Sequence, residues 1–179
     1  MKYLIASDLH GSAYYAEKLA EIFIKEKAEK LILLGDVYNH GPRNPLPKDY
    51  APMKVADILN GLKDSLIVIK GNCDSQVDTL ISDFDFLEGV CVESSGKSFF
   101  LTHGHVYNKD NMPKTAFDGL IYGHFHTGFI CRSGRTVVAN AGSLSLPKNG
   151  TANSYLTLEN AVLKLKNLDG SVLDSCEII

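Results

Sequence analysis

The sequence lacks several features that would place it in common classes of protein. It has no run of about 18 apolar residues, so no transmembrane helix is expected. Its first residues reach an acidic side chain after a short apolar run, which does not resemble a secretion signal. The four cysteines form no Cys-x-x-Cys pair, so neither a zinc knuckle nor a thioredoxin-like site is indicated. We therefore expect a reduced, cytoplasmic setting.

An excess of basic residues is also missing. The net charge is -3 at pH 7, so no broad positive surface for nucleic acid or for an anionic membrane is expected. Internal repeats and low-complexity tracts are absent. The 179 residues, of which 45% are hydrophobic, predict one globular domain over residues 1–179. The sequence neither requires nor excludes assembly into a homo-oligomer.

The first half of the sequence alternates between short apolar runs and helical periodicity. Strands are predicted at residues 3–6, 31–34 and 66–69, and helices at residues 13–26 and 53–62. Because parallel strands need long crossover connections, this alternation predicts a parallel sheet covered by helices.

The second half predicts mostly strands. Strand-sized runs occupy residues 98–102, 119–122, 136–139, 155–158 and 161–168, and a turn at residues 167–170 precedes a last strand. Four of the six prolines lie between residues 39 and 52, and proline disfavours both helix and central strand. We expect this segment to be an irregular surface loop.

Polar residues follow five of the apolar runs. These motifs are Asp8-Leu9-His10, Gly35-Asp36, Gly71-Asn72-Cys73-Asp74, His103-Gly104-His105 and Gly123-His124-Phe125-His126. Ligand sites of open α/β sheets form at the carboxyl ends of strands, so the five loops are expected to share one crevice. Where the chain stays extended, residues i and i+2 face the same side, which would pair Asp8 with His10 and His124 with His126.

Histidine nitrogen combined with carboxylate and amide oxygen is a ligand set that suits first-row divalent ions. Seven candidates exceed the needs of one four-coordinate ion, but they suit two ions that share a carboxylate. Two carboxylates, Asp8 and Asp36, would leave a net positive centre that attracts a phosphate. Each motif alone is also ordinary turn chemistry, and only their combination is specific.

This ordered series, over residues 8–126, resembles the calcineurin-like metallophosphoesterase superfamily, whose pattern runs Asp-x-His, Gly-Asp, Gly-Asn, His and Gly-His-x-His. Length and the segments at residues 35–44 and 71–74 look most like the small bacterial phosphodiesterases of that superfamily. The resemblance implies an α/β fold, a four-layer α/β/β/α sandwich with two mixed β-sheets flanked by helices.

The resemblance also implies the ligands. One ion would be held by Asp8, His10, Asp36 and His126, and the other by Asp36, Asn72, His103 and His124. Asp36 would bridge the two ions, and a hydroxide between them would attack phosphorus. Manganese is the expected metal, with iron, zinc, nickel and cobalt as alternatives.

Four further residues have open roles. Many family members have histidine where this sequence has Cys73, and that histidine protonates the leaving group. A thiol is a poor replacement, which favours diesters with good leaving groups, although Cys73 could also be a small hydrophobe beside the metals. Arg43 and His40 are candidate substrate contacts, as opposed to solvated loop residues. His105 either faces the substrate or supports the sheet.

The expected function is a metal-dependent phosphodiesterase that acts on a small phosphodiester, and no feature indicates a nucleic-acid or membrane partner. The alternatives are a phosphomonoesterase and a catalytically silent interaction scaffold of the same fold. A mononuclear amidohydrolase would leave Asn72 and the bridging Asp36 unexplained. The segment 140–143 resembles a family loop, and only a backbone role is assigned to it.

Overall fold

The computed structural model describes residues 1–179 and contains two mixed β-sheets. The strands are β1 Tyr3–Ala6, β2 Lys30–Leu33, β3 Leu66–Ile69, β4 Phe86–Leu87, β5 Val90–Ser94, β6 Lys97–Leu101, β7 Gly119–Tyr122, β8 Phe129–Ser133, β9 Thr136–Asn140, β10 Ser154–Glu159, β11 Val162–Asn167 and β12 Val172–Glu177. The helices are α1 Ala13–Glu26 and α2 Pro52–Asn60, with 3-10 helices at Lys63–Ser65 and Gln76–Leu80. Neither α-helix has the length and apolar character that crossing a membrane requires.

The larger sheet has the strand order β12-β11-β10-β1-β2-β3-β4. Its strands β1 to β4 pair in parallel, which confirms the arrangement predicted for the first half of the chain. The smaller sheet has the order β5-β6-β7-β9-β8, in which β6, β7 and β9 are parallel neighbours. Both sheets therefore contain parallel strands whose carboxyl ends can contribute to a shared site.

The helices cover one face of the larger sheet. The hydroxyl of Ser12 accepts a hydrogen bond from the backbone N–H of Tyr15 at 3.3 Å and caps the start of α1. Lys27 adopts a left-handed conformation at φ 52°, which ends that helix. Alternate residues of β1 divide between two cores: Leu4 packs towards the helices, whereas Ile5 packs towards the second sheet.

The α/β sandwich is confirmed, but its outer layer over the smaller sheet is a loop instead of a helix. This loop covers residues 102–118, and the ring of Phe117 stacks on Phe100 of β6 with centroids 5.2 Å apart. Asn108, Asn111 and Pro113 interrupt the segment, and all three residue types disfavour a helix interior. An irregular loop therefore covers this face of the smaller sheet through aromatic packing.

Three strands lie where none was predicted, namely β4, β5 and β8. All three are edge strands of their sheets. An edge strand is partly solvated, as the exposed Cys131, Arg132 and Ser133 of β8 show. Its apolar pattern is consequently weaker than that of a central strand.

Candidate metal centre

All seven predicted ligands lie at the carboxyl ends of parallel strands. Asp8 and His10 follow β1, Asp36 follows β2 and Asn72 follows β3 in the larger sheet. His103 follows β6, and both His124 and His126 follow β7 in the smaller sheet. Potential ligand atoms from both sheets approach one another closely enough to hold ions. The structure thus brings together the residues that the sequence pattern selected.

The backbone of this region is not extended. Left-handed φ angles occur at Asp8 (58°), His10 (51°), Asp36 (54°), His124 (65°) and His126 (58°). Such angles are uncommon for residues other than glycine and concentrate at functional sites. Strand alternation is therefore the wrong geometric basis for the two predicted pairs. Asp8 and His10 still meet, but His124 and His126 belong to separate groups of donor atoms.

The first group consists of Asp8, His10 and His126. The Nδ1 atoms of the two histidines lie 2.7 Å from the backbone carbonyl oxygens of Asn39 and Leu146, to which they donate in the neutral tautomer. Both Nε2 atoms then carry lone pairs, and they lie 3.1 Å apart. Two lone pairs at that distance repel each other unless a cation or a proton lies between them. Metal-binding histidines are usually oriented in this way, because the ring nitrogen that does not bind the metal donates to a carbonyl, a carboxylate or a water.

Asp8 completes this group. Its Oδ1 atom is buried, has no hydrogen-bond partner, and lies 3.2 Å from His126 Nε2 and 3.6 Å from His10 Nε2. Its Oδ2 atom accepts the backbone N–H of His124 at 3.0 Å. Burial raises the pKa of Asp8, but its contacts with His10 and His126 outweigh burial and hold that pKa well below its usual range. The site therefore presents an ionised oxygen that lacks a partner, as a cation ligand requires.

The second group consists of Asp36, His103 and His124, with Asn72 beside them. His103 Nδ1 lies 2.7 Å from the carbonyl of Leu34, and its Nε2 lies 3.0 Å from Asn72 Oδ1 and 3.3 Å from His124 Nδ1. Burial lowers the pKa of His103, but Asp36 and the charge of Asp8 raise it to about 9. Burial and the neighbouring charge of His103 lower the pKa of His124 to about 4.

Asp36 belongs to the second group and also approaches His10 of the first. Its Oδ2 is 3.7 Å from His10 Nε2, and its Oδ1 is 3.5 Å from His103 Nε2. Oδ1 also accepts the backbone N–H of Cys73 at 2.8 Å, which fixes the carboxylate. Burial raises the pKa of Asp36, but the hydrogen bond with His103 and the charge of that ring lower it overall. One ionised carboxylate is thus shared by both groups of donors.

Asp74 orients the loops after β2 and β3, although the sequence pattern assigned it no role. Its buried carboxylate accepts backbone N–H groups from Asp36 at 2.8 Å, Val37 at 2.8 Å and Gly71 at 2.7 Å. Burial raises the pKa of Asp74 to about 6, although these hydrogen bonds oppose the rise. A side chain at Gly71 would collide with the Asp36 carboxylate, so glycine is required there. Only the three-dimensional structure shows this cross-link between the loops after β2 and β3.

A second support holds the loop that carries Asp8. The hydroxyls of Ser143 and Ser145 donate to the Asp8 carbonyl at 2.8 and 2.9 Å. The Asn140 amide donates to the carbonyl of Gly123 at 2.6 Å and accepts from the Gly142 N–H at 2.9 Å. These contacts are consistent with the backbone role expected for residues 140–143.

Cys73 is half-buried beside the donors. Its sulfur accepts a hydrogen bond from the Asn72 amide at 3.3 Å and lies near the donor atoms of His10 and Asp36. Burial, followed by the negative charge of Asp36, raises the pKa of the thiol to about 12. The group therefore stays protonated at neutral pH, and it is a weak acid.

The donors open into a cleft of about 790 Å³. Arg43 lines this cleft, as a substrate contact must, and so do Phe125 and Lys148, for which no role was predicted. His40 does not line it, because its ring packs edge-on against Tyr50 with centroids 5.4 Å apart. His105 is exposed and does not line it either, although its ring lies 5.4 Å from that of His103. No contact in the cleft supports a substrate role for these two histidines.

Comparison with known proteins agrees with this geometry. Residues 1–161 match the calcineurin-like phosphoesterase superfamily domain. Phosphodiesterase YfcE of Escherichia coli strain K12 is 43% identical over 169 residues, which cover 92% of this chain and 91% of that protein. A solved structure of E. coli YfcE, described as a phosphoesterase, superposes with a TM-score of 0.95 at 41% identity and full coverage of both chains. Zinc-complexed Vps29 from Entamoeba histolytica, at 19% identity, full coverage of both chains and a TM-score of 0.66, shares the fold alone.

The chain belongs to the calcineurin-like phosphoesterase superfamily. Members of this class rely on divalent metal ions, and the residues present here fit such ions. Imidazole, carboxylate and amide donors converge, and a buried oxygen of Asp8 has no other partner. The protein is accordingly a metal-dependent phosphoester hydrolase.

Proposed function

We propose that the protein is a phosphodiesterase with a two-metal centre. Two groups of donors that share the Asp36 carboxylate support this proposal. The first ion would be bound by Asp8, His10, Asp36 and His126, and the second by Asp36, Asn72, His103 and His124. The E. coli relative is named a phosphodiesterase, which agrees with the proposed reaction.

The protein's own groups set the charge of the site. Asp8 and Asp36 supply two negative charges, so two divalent ions leave a net positive centre that attracts a phosphodiester. When bound, the ions lower the pKa of a water and neutralise the phosphoryl oxygens. Arg43, which lines the same cleft, would hold a phosphoryl oxygen by its planar guanidinium. Manganese suits this mixture of nitrogen and oxygen donors, as do iron, zinc, nickel and cobalt.

Cys73 favours diesters with good leaving groups over alkyl monoesters. A thiol is intrinsically a weaker acid than the imidazolium of a histidine, so it does not readily protonate an alkoxide leaving group. Substrates with acidic leaving groups need no such help. We therefore expect bis-p-nitrophenyl phosphate to be hydrolysed well, and alkyl monoesters poorly.

The test begins with protein that is stripped of metal by a chelator and reloaded with manganese. Elemental analysis is expected to count two ions per chain, and the reloaded protein is expected to hydrolyse bis-p-nitrophenyl phosphate faster than p-nitrophenyl phosphate. His103→Gln should lose one ion, whereas His105→Gln, a matched change outside the cleft, should keep both. Fewer than two ions in the wild-type protein would refute the two-metal proposal.

The same assay separates the alternatives. An interaction scaffold would show no metal-dependent turnover of either substrate. A phosphomonoesterase would prefer p-nitrophenyl phosphate. Arg43→Gln adds a test of substrate binding: we expect a KM for the diester raised about tenfold with unchanged metal content, since a charge-assisted hydrogen bond is lost.

A further inference from the structure

Phe125 is an exposed aromatic residue in an otherwise polar cleft. It lies between two proposed metal ligands, His124 and His126, and it is 44% exposed. Of the thirteen residues that line the cleft, it is the only phenylalanine, tyrosine or tryptophan. Burial does not explain its position, because Leu120 and Tyr122 of β7 already fill the core beneath this loop.

The ring of Phe125 is held in place by its neighbours. Its backbone N–H donates to the carbonyl of Gly123 at 2.7 Å, which closes a tight turn. The ring packs edge-to-face on His124 with centroids 5.1 Å apart, and on Tyr122 with centroids 6.0 Å apart. Edge-to-face contacts of this kind orient an aromatic ring. The part of Phe125 that remains exposed is therefore a preformed apolar surface beside the metal donors.

Two cations share the cleft with this ring. Neither Arg43 nor Lys148 takes part in an ion pair. The backbone N–H of Lys148 donates to the carbonyl of His126 at 2.9 Å, which fixes its main chain next to a proposed ligand. Free cations beside an ordered aromatic ring suit a substrate that carries both negative charge and a planar group.

From this arrangement we infer that Phe125 selects substrates in which one ester substituent is, or carries, a planar aromatic ring. A nucleoside, whose base is such a ring, is the biological substituent of this class. The ring of Phe125 stacks on that substituent while the phosphodiester group occupies the metal centre. This inference rests on the proposed phosphodiesterase activity, and it concerns the substituent that remains on phosphorus after hydrolysis.

Two substrates that share the same leaving group isolate the effect of the remaining substituent. Methyl p-nitrophenyl phosphate and phenyl p-nitrophenyl phosphate both release p-nitrophenolate, and they differ only in the group that remains. For the manganese-loaded wild-type protein we expect kcat/KM to favour the phenyl diester by about tenfold, since stacking on one aromatic side chain has an effect of that order. The preference should appear mainly in KM.

Variants at position 125 then test the residue. Phe125→Tyr keeps the ring and should keep the preference, whereas Phe125→Leu keeps apolar volume and should reduce the phenyl-to-methyl ratio about tenfold. Elemental analysis must show that both variants retain the metal content of the wild type. Equal ratios in the wild type and in Phe125→Leu would overturn the inference. Hydrolysis of neither diester by the wild type would instead refute the proposed function.

Discussion

Replacing the shared carboxylate Asp36 by asparagine should weaken both metal ions together. The side chain is 3% exposed, and its two oxygens lie 3.5 Å from His103 Nε2 and 3.7 Å from His10 Nε2. A unit charge about 4 Å from a divalent ion contributes roughly 8 kcal/mol at an effective dielectric constant near 20. The asparagine oxygen can still bind each ion as a neutral ligand and so keeps more than half of this attraction, which leaves a loss of about 3 kcal/mol per ion, or about 100-fold in affinity.

Titration calorimetry with manganese on metal-free protein measures this loss. We expect two binding events in the wild-type protein and about 100-fold weaker affinity for both in Asp36→Asn. Asp8→Asn is the matched control, because Asp8 lies in only one of the two donor groups and its loss should weaken one ion alone. Retention of one wild-type affinity in Asp36→Asn would contradict the bridging position of this carboxylate.

Three further changes have distinct outcomes. Cys73→Ala should leave manganese content within twofold of the wild type, because both proposed ligand sets are complete without the sulfur; loss of an ion would show that the sulfur binds metal. Asp74→Ala leaves three buried N–H groups without their acceptor and should lower the free energy of unfolding in urea by about 3 kcal/mol; a change below about 1 kcal/mol would contradict this support. Glu26 accepts hydrogen bonds from Lys166 and Tyr155 at 2.7 Å, and although burial opposes the effect, these bonds lower its pKa to about 2. Its stabilisation is therefore present above the ordinary pKa of 4.5 and is lost as the pH falls towards 2. Glu26→Gln should cost about 2 kcal/mol in urea unfolding at pH 7 and progressively less below pH 4.5, and an equal cost at pH 3 would refute this linkage.

Much of the fold and the candidate site could be predicted from the sequence, because both depend on local patterns. The central strands are short apolar runs, and each ends in a polar motif whose position follows from the direction of the strand. β7 was predicted at residues 119–122, the bounds that the structure has. The edge strands β4, β5 and β8 were missed because solvent on one side removes much of the apolar pattern, whereas the edge strand β12 was predicted from the turn before it.

Other features depend on contacts between segments that are distant in the chain. The carboxylate of Asp74 accepts a hydrogen bond from Val37, which lies 37 residues away in sequence. Lys148 reaches the cleft from the loop after β9, and no motif marks it as a neighbour of Arg43. Left-handed φ angles at aspartate and histidine were also not predicted, because these residue types, although enriched in that region, adopt it in only a minority of cases.

The hydrogen bonds around the candidate metal centre explain why the centre can tolerate unfavourable local structure. Five left-handed residues and the burial of the ionised Asp8 carboxylate each raise the free energy of the folded chain. The surrounding structure offsets these costs, since Asp74 fixes one pair of loops and Ser143 with Ser145 fixes the loop after β1. Because strand ends of both sheets supply the donors, the packing between the sheets also sets the distance between the two donor groups. These supports are made by groups of the protein itself, so the fold contributes directly to the placement of the donors.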